Sequence, residues 1–245
     1  MNKPYNPLEG KKPTLSFNLH DGSDERVSII VVHKDKPEYL SLCLQSIAVC
    51  SVNSNVEIIV VDNNSEKKDS IDYLQELEDQ GIKVVRNNKN LYWSPAVNRG
   101  IDAANKGSKY FVLMHCDVVV LASGWLDFLI NVSQGNQSGM VGVQFDSYEM
   151  QNQKIDFIED WCVLITKECW QSVGPYNEEL PVLGASFLFT MKAQTKQFNP
   201  QVIKNDGIVH HYQIMSIKYS DYERWSEKAQ KDLPQFIRKL QTESL

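Results

Sequence analysis

Four short runs of β-branched and apolar residues, VSIIVV at 27–32, VEIIVV at 56–61, IKVV at 82–85 and YFVLM at 110–114, limit most strongly what this chain can fold into. A strand with one wet face alternates apolar and polar residues. These runs are nearly unbroken, which suits strands covered on both faces, as in a parallel sheet. The segments between them carry helix punctuation. Pro37 and Glu38 fit a first turn ahead of Leu40, Leu44 and Ile47, and Ser70 can cap a helix that passes Leu77 and stops at Gly81. Ser94 and Pro95 open a third helix, with Val97, Ile101 and Ala104 on one face and Gly107 as its stop. The resulting βαβαβαβ order predicts an open parallel sheet whose ligand lies outside the carboxyl ends of the strands.

Beyond Asp117 the rhythm changes. The pattern predicts a helix over 125–132, strands over 140–145 and 161–165, and a short helix over 167–172, a mixed α+β half. From about Met215 to the end, a charged stretch studded with aromatics predicts a helix, with Pro234 as a break. Residues 1–25, rich in Pro, Gly, Asn and charge, predict an arm rather than a core element. No internal repeat or low-complexity tract is visible.

Composition narrows the function classes. At 245 residues and 42% hydrophobic, the chain can bury a sizeable core as one large domain or two fused lobes. A net charge of -6 argues against a nucleic-acid binder, which needs a concentrated basic face, so an anionic ligand must be held locally. No run approaches the roughly 18 apolar residues of a membrane span, and the N-terminal residues lack the apolar stretch of a signal peptide, so the expectation is a cytoplasmic protein. Five cysteines without a C-x-x-C pair read as reduced thiols in or near the core. Three Asn-x-Ser sequons, beginning at Asn63, Asn131 and Asn136, carry weight only in a secreted protein.

The strands end in polar residues where such a sheet places its ligand. His33-Lys34-Asp35 follow the first and Asp62-Asn63-Asn64-Ser65 the second, which makes His33, Asp35, Asp62 and Asn64 candidates for ligand contact. The Asp62 carboxylate could accept the imide N–H of uracil or a ribose hydroxyl; equally, Asp and Asn fold back on their own backbone in turns. Asp117 is a lone carboxylate leaving an apolar run, and a charge there needs a partner. A divalent cation bridging it to a diphosphate would supply one, whereas a cap near Ser123 and Gly124 is the alternative. His210 and His211 follow the apolar pair Ile208 and Val209 far along the chain; imidazole beside carboxylate suits manganese better than magnesium, though a lone histidine is more often structural.

Together these residues resemble the inverting GT-A glycosyltransferases of glycosyltransferase family two, especially the rhamnosyltransferase-like branch. The resemblance spans about 26–216. It is carried by VSIIVVHKDKPEYLSLCLQSI, EIIVVDNNS, NNKNLYWSPAVNRGIDAANKGSKYFVLMHCDVVV and DFIEDWCVLITKECWQSVGPYNEEL in that order. It implies an α/β fold in which a Rossmann-like sheet over 26–120 binds a nucleotide-sugar. A mixed half over 121–216 binds the acceptor, after the arm and before a C-terminal helical segment over 217–245. It implies that His33 and Asp62 lie by the base, that Trp93, Asn98 and Arg99 sit near the nucleotide, and that His115-Cys116-Asp117 is the family's Asp-x-Asp element with its first carboxylate missing. The family's late V-x-H histidine matches His211, with His210 as the alternative. A UDP-linked donor, a carbohydrate or other hydroxyl acceptor and a Mn2+ or Mg2+ ion follow from the same likeness.

One departure bears on catalysis. Relatives carry a Glu-Asp pair a few residues beyond the G-G-F-D-E element, and one of its carboxylates deprotonates the acceptor hydroxyl. Here Ala185 and Ser186 stand in those places. An inverting displacement still needs a proton acceptor. Asp160, with Glu159 as second choice, is the expected base supplied from another part of the fold; the alternative is a degenerate protein that binds glycan or nucleotide-sugar without turnover. A different nucleotide-binding enzyme is disfavoured because no G-x-G-x-x-G follows the first strand and no P-loop occurs. The aromatics Tyr219, Tyr222 and Trp225 could cover the active site, pack on the core or join two subunits as a homodimer.

Overall fold

The computed structural model describes residues 26–51, 54–150, 153–213 and 219–243. The expected arm over 1–25 lies outside the described residues, as does the start of the C-terminal segment near Met215. The first half runs β1 (Val27–His33), α1 (Pro37–Cys50), β2 (Val56–Asp62), α2 (Lys68–Asp79), β3 (Lys83–Arg86), α3 (Ser94–Asp102) and β4 (Tyr110–His115). The second runs β5 (Val118–Val120), α4 (Trp125–Gly135), β6 (Met140–Gly142), β7 (Phe145–Met150), β8 (Gln153–Ile158), β9 (Cys162–Thr166), α5 (Lys167–Val173), α6 (Ala185–Thr195), β10 (Gln201–Val202), β11 (Val209–His211) and α7 (Tyr219–Glu243).

A sheet of seven strands in the order β10-β6-β9-β4-β1-β2-β3 carries the fold. β1, β2, β3 and β4 are parallel, in a register that sets Ile29 beside Ile58 and Val112 and ends with His33 beside Asp62. β9 enters antiparallel to β4 and β6, so strands of the second half extend the same sheet. Cover on both faces explains the apolar runs of β1, β2 and β4, whereas β3 is an edge strand with Lys83 and Arg86 exposed and Val84 and Val85 half-buried, contrary to the sequence expectation. Ile29, Val31 and Val60 point into one core with Leu40 and Leu44 of α1 and Leu74 and Leu77 of α2. Ile30, Ile59 and Val61 point into the other with Ala96, Val97 and Ile101 of α3. α3 approaches so closely that a Cβ on Gly100 would lie 2.4 Å from Ile30 Cγ2, a distance only a hydrogen can fill.

Several element boundaries differ from the sequence expectation. α2 starts at Lys68, so Ser70 lies inside its first turn and caps nothing. α3 ends at Asp102, ahead of Gly107. The strand expected over 140–145 is two elements, because Phe145 begins the β7–β8 hairpin. α7 runs through Pro234 without a break: Ala229, Leu233 and Ile237, at helical spacing, are buried in the α3 and α6 core, and this packing outweighs the hydrogen bond that proline cannot donate. No helix among the described residues is long and apolar enough to cross a membrane.

Candidate functional site

Strand order reverses between β1 and β4: the chain builds outward through β2 and β3, then returns through α3 to the other side of β1. A crevice opens at such a switch point, outside the carboxyl ends of the strands. Here those ends are His33 and His115, and both line a cleft of about 450 Å3. Its far wall comes from the second half, through Phe157, Glu159, Asp160 and Trp161 before β9, the first turn of α6, and His211.

Asp117 lies at the centre. β5, directly after it, pairs antiparallel with β11, setting His211 beside Val118 and His210 beside Val119. Alternation along a strand sends neighbouring side chains to opposite faces. His211 therefore enters the cleft, with Nε2 at 3.3 Å from Asp117 Oδ1, while the Nδ1 of His115 is 4.0 Å from the same oxygen. One ligand atom from each of His115, Asp117 and His211 lies within 4.8 Å of the others. Burial pushes the His115 imidazole down to about 4, so at neutral pH it is uncharged and offers a lone pair. The His211 ring is stacked on Trp161 at 4.8 Å with planes 19° apart. A buried carboxylate between two imidazoles is a donor set that fits a divalent cation. His210 is corrected as a candidate: it is exposed, rests on Tyr212 and stands outside this cluster. His115, expected only as a contact to the nucleotide-sugar, belongs to the cluster.

Asp160 lines the same cleft, between β8 and β9. Desolvation pushes its carboxyl up to about 7, against the pull of a 2.6 Å hydrogen bond donated by Trp93 Nε1 to Oδ2; the neighbouring charge of Glu159 adds to the rise. The Tyr176 hydroxyl lies beside Asp160 without a hydrogen bond of good geometry, and its own pKa is held well above the ordinary phenol value, first by burial and then by that carboxylate. Glu159 is raised by burial and then by Asp146. A carboxyl titrating near neutrality can take up a proton at physiological pH, which is what general-base work requires.

At the β1 end, His33 is buried and both of its ring nitrogens lack a hydrogen-bond partner among the described residues. Burial holds this imidazole at about 4, hence neutral, with one donor and one acceptor nitrogen, both shielded from solvent, on a residue that lines the cleft. Other strand-end candidates are used by the fold. Asp62 does not reach the cleft wall; its Oδ1 accepts from Ser65 N at 3.0 Å and Ser65 Oγ at 2.6 Å, closing a turn. Asp35 Oδ1 accepts from the amides of Glu66 and Lys67 at 2.8 and 2.9 Å. Burial alone would raise the Asp35 carboxyl, but these amides and Lys34 hold it below the ordinary carboxylate range. The Asn64 carbonyl accepts from Lys34 Nζ at 2.7 Å. Asn98 is buried between helix and loop, donating to Tyr176 O at 3.0 Å and Glu178 Oε1 at 2.9 Å while accepting from Tyr176 N at 3.0 Å. Arg99 is exposed on α3 and off the cleft wall. Of the sequence candidates, the cleft thus gathers His33, Trp93, His115, Asp117, Glu159, Asp160 and His211, and leaves Asp35, Asp62, Asn64, Asn98, Arg99 and His210 outside.

Sequence reasoning missed other residues of the wall. Asn63 lines it, clamped by its own bond to Tyr92 O at 2.7 Å and by accepting from Asn87 Nδ2 at 2.9 Å. Asp146 arrives on the β7–β8 hairpin, whose signal was the alternation of Ile155 and Phe157 with Lys154 and Asp156. Tyr148 and Phe157 seat that hairpin on Phe187 of α6, with ring centres 5.2 and 5.5 Å apart. Of the C-terminal aromatics weighed in the sequence as cover for the site, Tyr222 brings α7 to the cleft, while Trp225 packs edge-on against Tyr92 at 5.5 Å.

Comparison with known proteins agrees with this architecture. Residues 28–191 match the family described as Glycosyl transferase family 2. The chain is 21% identical over 222 residues, 76% of its length, to the O-antigen biosynthesis protein RfbC of Myxococcus xanthus, and spans under a fifth of the length of the curated relatives it matches. Among solved structures it is similar to the mannosyltransferase PcManGT of Pyrobaculum calidifontis in complex with GDP-Man and Mn2+. That likeness has a TM-score of 0.62 at 14% identity and covers 94% of this chain and 68% of that one. It is also similar to residues 1–349 of S. aureus TarS in complex with UDP-GlcNAc, with a TM-score of 0.57 at 13% identity over 82% of this chain and 64% of that one. At such identities the likeness establishes the GT-A fold.

Proposed function

The chain belongs to glycosyltransferase family 2, and we propose that it transfers a hexose, with inversion, from a UDP-linked donor to a hydroxyl of a glycan or similar acceptor, with a divalent cation at Asp117. The observation that carries this is the placement of Asp117, His211, His115 and Asp160 on one cleft at the switch point of the sheet.

Each wall has its task. His33 and Asn63 line the part of the cleft that a nucleotide base would fill. Asp117, His211 and His115 would hold Mn2+ or Mg2+, the former favoured by the two imidazoles. A divalent cation held there would supply charge neutralisation for a diphosphate beside the buried Asp117 carboxylate. Asp160 is the base. As the acceptor oxygen forms its bond to the anomeric carbon, the bond to the diphosphate breaks with its electron pair leaving on the phosphate oxygen, and the hydroxyl proton passes to Asp160. Glu159 beside it raises the affinity of Asp160 for that proton. The structures of similar proteins in complex with UDP-GlcNAc and with GDP-Man and Mn2+ support a nucleotide-sugar donor and a metal-assisted site.

Titration calorimetry with UDP in the presence of Mn2+ tests the donor site: micromolar to millimolar binding that disappears with chelator is expected. No binding of any nucleoside diphosphate would end the proposal. A second activity class, a binding protein without turnover, is favoured by one observation: Ala185 and Ser186 line the cleft where relatives carry their carboxylate pair. Sugar release by the intact protein compared with Asp160→Asn separates the two, since turnover that depends on Asp160 excludes a binding protein.

A further inference from the structure

Trp93 is fixed on three sides. Its backbone N donates to Pro181 O at 2.8 Å, and Ser94 N and Oγ donate to Pro181 O and Leu180 O at 3.0 and 2.8 Å, which ties the start of α3 to the loop before α6. Its ring meets the edge of His115 with centres 4.4 Å apart and planes at 71°. Its single polar atom, Nε1, donates to Asp160 Oδ2 at 2.6 Å. The indole therefore spans the gap between the proposed cation-binding cluster and the proposed base, and it does so from a rigid helix start.

We infer that Trp93 is a positioning residue for Asp160, clamping Oδ2 and leaving the other carboxylate oxygen to the acceptor hydroxyl. The inference rests on Asp160 being the base. An indole N–H can only donate, and a donor to a charged oxygen bonds more strongly than to a neutral one, so this contact favours the ionised carboxylate. It opposes two influences that favour the protonated form: burial and the charge of Glu159 next in the chain. Trp93 thereby sets both the direction in which the base faces and the pH above which it is competent.

The full chain with Mn2+ and UDP-glucose or UDP-N-acetylglucosamine provides the test, with turnover followed by nucleotide release. Trp93→Phe keeps an aromatic edge for His115 and removes the N–H. The expected result is an acid limb of kcat moved up by about one pH unit, a tenfold change in proton affinity, with the donor KM retained. In an Asp160→Asn background the same substitution should add no further loss, as two residues acting through one contact are not additive. Infrared titration of the Asp160 carboxyl, isolated by subtracting the Asp160→Asn spectrum, reads the same midpoint without any turnover. A midpoint unmoved in folded Trp93→Phe overturns the inference. Should that variant fail to fold, benzothienylalanine at position 93, a tryptophan isostere with sulfur for N–H, replaces it under the same criteria. Undiminished turnover by Asp160→Asn would instead overturn the assignment of the base, a result separable from the infrared midpoint.

Discussion

His211 Nε2 stands 3.3 Å from Asp117 Oδ1, although the two residues are far apart in the chain and reach each other only because β11 pairs with β5. Register decides the outcome, since a slip by one residue would present His210 instead. Asp117→Asn is expected to lower Mn2+ affinity, measured by calorimetry or by electron paramagnetic resonance of the free ion, by about tenfold or more, and His211→Ala likewise. His210→Ala should leave it unchanged, because His210 is exposed on the other face. Equal losses at both histidines would contradict the β5–β11 register.

How much of this was legible in the sequence depended on whether a residue's role is set locally. β1, β2 and β4 were readable because cover on both faces favours apolar residues at nearly every position, Ser28 and Glu57 apart, and Ile30 and Ile29 satisfy opposite cores. Asp117 was readable as a lone charge ending such a run. Asp62 was ambiguous, because a carboxylate three residues before a serine serves a turn as well as a ligand, and the 2.6 Å bond that its Oδ1 accepts from Ser65 Oγ shows the turn role. The choice between His210 and His211 needed the partner strand. Asp146 lay beyond reach because β7 and β8 form their own two-stranded sheet, seated by aromatic contacts with Phe187 that spacing does not encode.

The close approach of α3 to the sheet makes a second prediction. Gly100→Ala places a methyl 2.4 Å from Ile30 Cγ2 and 2.9 Å from Val61 Cγ2, two side chains with no exposed end to move into. Overpacking of this kind costs about 1–3 kcal/mol, despite the better helix propensity of alanine. A lowered urea midpoint would show it. An unchanged midpoint would mean that α3 can lift from the strands.

Asn98 separates a structural from a ligand-binding role. Its amide satisfies Tyr176 at both backbone groups and Glu178 at its carboxylate, which leaves it committed to the loop after α5. Asn98→Ala strands these partners and is expected to cost about 1–3 kcal/mol of stability. UDP affinity in calorimetry should be unchanged in the folded variant. A loss of UDP affinity without a loss of stability would return Asn98 to the nucleotide site.

Asp160 gives the protein a stability cost with a defined sign. Its carboxyl titrates at about 7 in the folded chain against an ordinary value of 3.8. Below the lower value it is protonated in both states and folding bears no penalty. As pH rises toward 7 the unfolded chain ionises freely while the folded one resists, and above 7 the native state must hold a desolvated charge. The contribution of this group is therefore most favourable in acid and is lost as pH rises through 7. Asp160→Asn removes the ionisation while keeping an oxygen for Trp93, so it should melt a few degrees above wild type at pH 8, with a smaller gap at pH 5. Thermal unfolding at the two pH values decides this. A gap that does not change with pH would mean that the Asp160 carboxyl is not held near neutrality, and the base would have to be sought at Glu159 or Asp146.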